Sequence, residues 1–134
     1  MEPLDELRAK IADFPGYGDE LERRRSDEYV RAYLGEALAA FAARTELDPG
    51  VRQRLDELTL RLAFADQRAF SEHLRSGEEE TGDGAVMRAD AAAVELAGRA
   101  ATLDAGSAPR FLDEVATMLD GREAALRAAA LKMA

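Results

Sequence analysis

The chain predicts an all-α fold, an antiparallel four-helix bundle of long helices with a short additional N-terminal helix. Three observations carry this. Apolar residues recur in steps of three and four, which keeps each series on one side of a helix. Pro, Gly and capping residues separate the segments that carry these stripes. No segment alternates apolar and polar residues as a half-buried strand does.

The first segment covers about Pro3 to Asp13, with Leu4, Leu7, Ile11 and Phe14 on one side. Phe14-Pro15-Gly16-Tyr17-Gly18 stops it, because Pro cannot continue the hydrogen-bond ladder and the glycines favour a turn. Asp19 then reads as an N-cap, with Glu22 at the third helical position closing a capping box. The second helix is expected over about 20–44, with Leu21, Val30, Leu34, Ala37 and Phe41 inward.

Asp48-Pro49 opens the third helix, Asp48 as cap and Pro49 at the first position, where a missing N–H costs nothing. Its stripe is Val51, Leu55, Leu58, Leu62, Ala65 and Ala69, and the helix is expected to reach about Leu74. A second row, Leu60, Phe64, Phe70 and Leu74, marks it as the most central helix. Ser76 to Gly84, with three Gly and four acids, reads as a mobile solvated loop.

The fourth helix covers about 85–104, with the stripe Val86, Ala89, Ala93, Leu96, Ala100 and Leu103. Ser107 reads as the cap of the fifth, whose stripe is Leu112, Val115, Leu119, Leu126, Ala129 and Met133. Gly121 costs about 1 kcal/mol inside a helix relative to Ala. The stripe nevertheless keeps its phase from Leu119 to Leu126, so the helix is expected to continue through it.

A length of 134 residues suits one domain over 1–134 with its own core. The absence of cysteine excludes disulfides, thiolate metal sites and a cysteine nucleophile. The opening MEPLDELRAKIADF is charged and amphipathic, unlike a secretory signal, and no run nears the roughly 18 apolar residues of a membrane span. The expectation is a cytoplasmic protein that does not enter a membrane. Basic residues are almost all Arg, and Ala is abundant, which matches the codon bias of a GC-rich bacterial genome.

A net charge of −9 argues against nucleic acid as a partner, since phosphate binding needs clustered Lys and Arg. The one basic run, Arg23 to Arg25, is bracketed by Glu20, Glu22, Asp27 and Glu28 and reads as a solvated, ion-paired face. No cofactor and no metal is expected. Di-metal bundles need Glu-x-x-His on two helices, whereas the single histidine, His73, follows Phe70 by three positions. The loop Glu78 to Gly84 lacks the alternating ligands and terminal Glu of a calcium loop.

The aromatic turn is the least generic segment. Phe14 and Tyr17 either plug the end of the bundle or wall a pocket, and hairpin register places His73 near Leu21, at the same end. The leading functional reading is a non-enzymatic helical interaction protein, homodimeric or bound to a protein partner. Ala-lined fourth and fifth helices bury little area each, so a second chain gains by covering them. The alternative is a small-ligand-binding or catalytic bundle, with Phe14, Tyr17, Arg24 and His73 as candidate ligand-binding residues. No catalytic residue is assigned.

Two charges stand in apolar rows. Asp90 interrupts Val86, Ala93 and Ala97, and Arg122 interrupts Leu119 and Leu126. With a turn centred near residue 106, both lie sixteen positions from it. This predicts an ion pair between the fourth and fifth helices, at least partly shielded from water.

Overall fold

The computed structural model of the protein describes residues 2–64 and 84–132. Among them are five α-helices and no strand: α1 (Pro3–Lys10), α2 (Glu20–Arg44), α3 (Pro49–Ala63), α4 (Ala85–Ala100) and α5 (Ala108–Lys132). A short 3-10 turn, Ala105–Ser107, leads into α5.

Local chemistry sets the boundaries. The backbone N–H of Glu22 donates to Asp19 Oδ1 at 2.8 Å, which satisfies one of the orphan donors at the start of α2. Asp104 caps the 3-10 turn that leads into α5, its Oδ1 accepting from Ser107 N at 2.9 Å. The end of α4 is closed from outside the helix. Arg44 Nη1 donates to the Leu103 carbonyl at 3.1 Å and Nη2 donates to that of Ala100. Helix α5 runs unbroken through Gly121, as the phase of its stripe predicts.

Cross-links between helices define the topology. Arg31, midway along α2, reaches the Leu62 carbonyl at the end of α3, and α3 begins soon after α2 ends, so these two are antiparallel. Arg99 pairs with Glu114 and Asp90 with Arg122, so α4 and α5 are antiparallel as well. Arg54 meets Asp113 at 2.5 Å, and one heptad later on both helices Arg61 meets Asp120 at 2.6 Å. Helices α3 and α5 therefore run parallel. So do α2 and α4, whose C-terminal ends Arg44 ties together. Around the bundle the order is α2, α3, α5, α4, with α1 laid against α4. Consecutive helices alternate in direction, while α3 and α4 stand on opposite corners.

The core takes one stripe from each helix. It includes Leu7, Leu34, Leu38, Phe41, Leu55, Leu58, Leu62, Phe111, Leu112, Val115 and Leu126. Helix α4 is the central element, packed against α1, α2 and α5 and apolar on most of its circumference. This corrects the expectation that α3 is central. Leu60 and Phe64 are 58% and 77% exposed: among the described residues α3 packs mainly against α2 and α5, and these two side chains point away from both.

Helix ends and one inward-facing residue differ from expectation. α1 ends at Lys10, three residues early, where Ile11 turns to an extended conformation. Leu21 is 56% exposed, because the inward face of α2 begins with Arg23, Ser26 and Asp27 instead. α3 ends at Ala63, with Phe64 leaving the helical region; its expected continuation to Leu74 and the loop at 76–83 lie outside the described residues.

Candidate functional site

The unusual chemistry of this bundle lies at its centre. Arg23, Ser26 and Asp27 on α2, Asp90 on α4 and Arg122 on α5 are all buried, along with Tyr17 from the turn that follows α1. Each of the five helical residues occupies a position that the helical repeat turns inward, so burial follows from phase rather than from residue type.

Arg122 is the hub. Its Nε donates to Asp90 Oδ1 at 2.7 Å, as the register argument predicts, and its Nη2 donates to Asp27 Oδ1. The second oxygen of each carboxylate is also used. Tyr17 Oη donates to Asp90 Oδ2 at 2.5 Å, and Arg31 Nε donates to Asp27 Oδ2 at 2.7 Å. Two carboxylates thus face two guanidiniums and one phenol, and the formal charge of the cluster cancels. An isolated buried charge costs several kcal/mol, which is why the cluster closes on itself.

A second set of bonds ties the aromatic turn to α2. Ser26 Oγ accepts from Gly16 N at 3.1 Å and donates to the Gly16 carbonyl at 2.5 Å. Arg23 Nη1 donates to the Tyr17 carbonyl at 3.2 Å. Gly16 has φ +97°, and a Cβ there would lie 3.0 Å from the Arg8 guanidinium, so this turn requires glycine. Phe14 and Tyr17 meet edge to face, with ring centroids 5.9 Å apart and planes at 61°. The turn is a plug pinned to the bundle by hydrogen bonds.

Environment sets the protonation states. Burial, reinforced by the Asp90 carboxylate, lifts the Tyr17 phenol above its ordinary value, so it stays a donor. Burial also raises the Asp90 carboxyl, and Arg122 and the Tyr17 hydrogen bond oppose that rise. Burial works against the charged form of Arg122, but the attraction of Asp90 and Asp27 exceeds it and holds the guanidinium firmly cationic.

Among the four candidate ligand-binding residues, Phe14 and Tyr17 come together as described. Arg24 is exposed, one residue from the buried Arg23. His73 lies outside the described residues. Asp27 was hidden among the acids flanking the Arg run, although it precedes Val30, Leu34 and Leu38 at helical spacing and so interrupts an apolar row just as Asp90 does. Arg23, expected on a solvated face, is buried, because its phase on α2 turns it inward.

The surface carries two grooves beside α4. One of about 680 Å³ runs between α1 and α4, floored by Ala91, Val94 and Gly98 and edged by Glu6, Lys10, Glu95 and Arg99. The other, of about 430 Å³, lies between α4 and α5. Among the described residues no group of three His, Cys, Asp or Glu side chains is placed to hold a metal ion, and no helix is long and apolar enough to cross a membrane.

A scan against family models returns no match for this chain, and searches of curated proteins and of solved structures return none either.

Proposed function

We propose that this chain is a non-enzymatic helical interaction protein of the bacterial cytoplasm, acting as a homodimer. One observation above the others supports the reading: all four oxygens of the two central carboxylates accept hydrogen bonds from donors of the chain itself. A carboxylate that serves as acid, base or ligand needs a direction open to a substrate. Here Asp27 and Asp90 are spent on holding α2, α4, α5 and the aromatic turn in register. Phe14 and Tyr17 add to this, since both rings are buried against each other and leave a filled end rather than a walled opening.

The chemistry available to another molecule then lies on the outside, where the α1–α4 groove presents apolar floor and charged edges. Light scattering on the full chain tests the proposal. A particle of twice 14.6 kDa is expected, and a monomer at every concentration overturns the dimer.

A further inference from the structure

We infer that α1 is a strap that opens on its own. It leaves α4 by turning about a hinge at Ile11–Asp13 and uncovers an apolar row of α4, while the aromatic turn and the four longer helices stay in place. The inference does not depend on the homodimer reading.

The four longer helices close on one another without α1, which lies outside them against α4. Eight residues are too few to hold a helix in water, so docking alone keeps α1 helical. That docking is thin. Leu7 is the one buried side chain of α1, with Leu4 partly buried beside it. Among the described residues, no side-chain hydrogen bond or ion pair joins α1 to another helix.

The polar attachments gather beyond the hinge. Gly16 bonds twice with Ser26 Oγ, Tyr17 Oη donates to Asp90, and Arg23 donates to the Tyr17 carbonyl. Between these pins and α1 the backbone is irregular. Ile11 is extended, and Asp13 has φ +61°, the one non-glycine among the described residues in the left-handed region. A side chain held there costs energy that an open hinge gives back.

Opening changes what α4 presents. Ala91 and Val94 are 9% and 4% exposed while α1 is seated, and Ala9 and Lys10 form the wall across the groove from them. Segments with few buried apolar contacts open well below the free energy of global unfolding.

Hydrogen exchange on the full chain in dilute urea tests the strap. We expect the amides of Leu7 to Ile11 to be protected at least about a hundredfold less than those of Val115 and Leu119, with little urea dependence. The Gly16 N–H should keep the protection of the four longer helices. The chain has no cysteine, so Val94→Cys places a single thiol under α1. Its labelling by a thiol reagent should likewise show little urea dependence. Ala9 is exposed, and Ala9→Gly weakens α1 without opening a cavity. It should speed both α1 exchange and Val94→Cys labelling about fivefold. Exchange of α1 with the same protection and urea slope as α5 overturns the strap. So does labelling that Ala9→Gly leaves unmoved, since the thiol is then reached without opening.

Discussion

Arg122 Nε lies 2.7 Å from Asp90 Oδ1, and the two side chains are 5% and 1% exposed. This pair joins α5 to α4 at the level where α2 contributes Asp27 and the aromatic turn contributes Tyr17. One guanidinium therefore bridges two helices on opposite corners, α2 and α5, through the middle of the bundle.

Removing that hub strands two carboxylates. Arg122→Met is expected to cost about 3–5 kcal/mol, more than its lost volume explains, because Asp27 and Asp90 are left buried and facing each other. Chemical denaturation measures it. A double-mutant cycle of Asp90→Ala and Arg122→Ala should show a coupling of about 1–3 kcal/mol, and additive losses would mean that the pair contributes nothing as a pair.

Tyr17→Phe keeps the ring and removes only the donor to Asp90 Oδ2. The expected loss is about 1–3 kcal/mol, since a buried carboxylate oxygen loses its partner. Thermal melts of this variant beside Phe14→Ala separate the two roles of the turn. Phe14→Ala should cost about 3–5 kcal/mol through the cavity it opens.

The Asp90 carboxyl is raised above its ordinary 3.8 by burial. Between 3.8 and that higher value the native state holds more proton than the unfolded chain. The contribution of this group is then fully present below 3.8 and is lost as pH rises through the folded value. Asp90→Asn does not titrate, so the stability gap between wild type and Asp90→Asn should narrow as pH rises from 3.8. Urea midpoints across this range give the slope. A gap that widens with pH would show that the attraction of Arg122 outweighs the desolvation of Asp90.

Leu62 and Leu60 are two residues apart and face opposite ways. Leu62 is 5% exposed and Leu60 58%. Leu62→Ala should cost about 2–5 kcal/mol, and Leu58→Ala the same, whereas Leu60→Ala should stay within about 0.5 kcal/mol. Equal losses at 60 and 62 would place a neighbour over the outer face of α3.

Gly121 sits inside α5, exposed, with nothing within 4 Å of a built Cβ. Gly121→Ala should stabilise the chain by about 0.5–1 kcal/mol, because Ala has less backbone entropy to lose. A loss of stability there would mean that α5 bends at this point in solution.

Much of the bundle is legible in the sequence alone. The caps and breakers place α2, the start of α3 and the start of α4 to within a residue, and the unbroken stripe carries α5 through Gly121. Asp90 and Arg122 announced themselves as charges in apolar rows, and the hairpin register paired them. The same signal was present at Asp27, but its acidic neighbours drew the reading to the surface. Leu60 and Phe64 misled for the opposite reason. An apolar row on a helix shows that the row is able to be buried, not that a neighbour is present to bury it.

By itself, the sequence determined the helices, their inward stripes and the antiparallel pairing of helices close in the chain, since periodicity, capping and short connections act over a few residues. Only the tertiary structure decided that α3 and α4 take opposite corners, that α4 is central, and that Tyr17, Asp27, Asp90 and Arg122 form one cluster. Those facts depend on which stripes meet across long stretches of chain. Apolar stripes are non-directional and do not by themselves specify which helices meet, whereas the bonds from Arg122 to Asp27 and Asp90 require this arrangement of α2, α4 and α5.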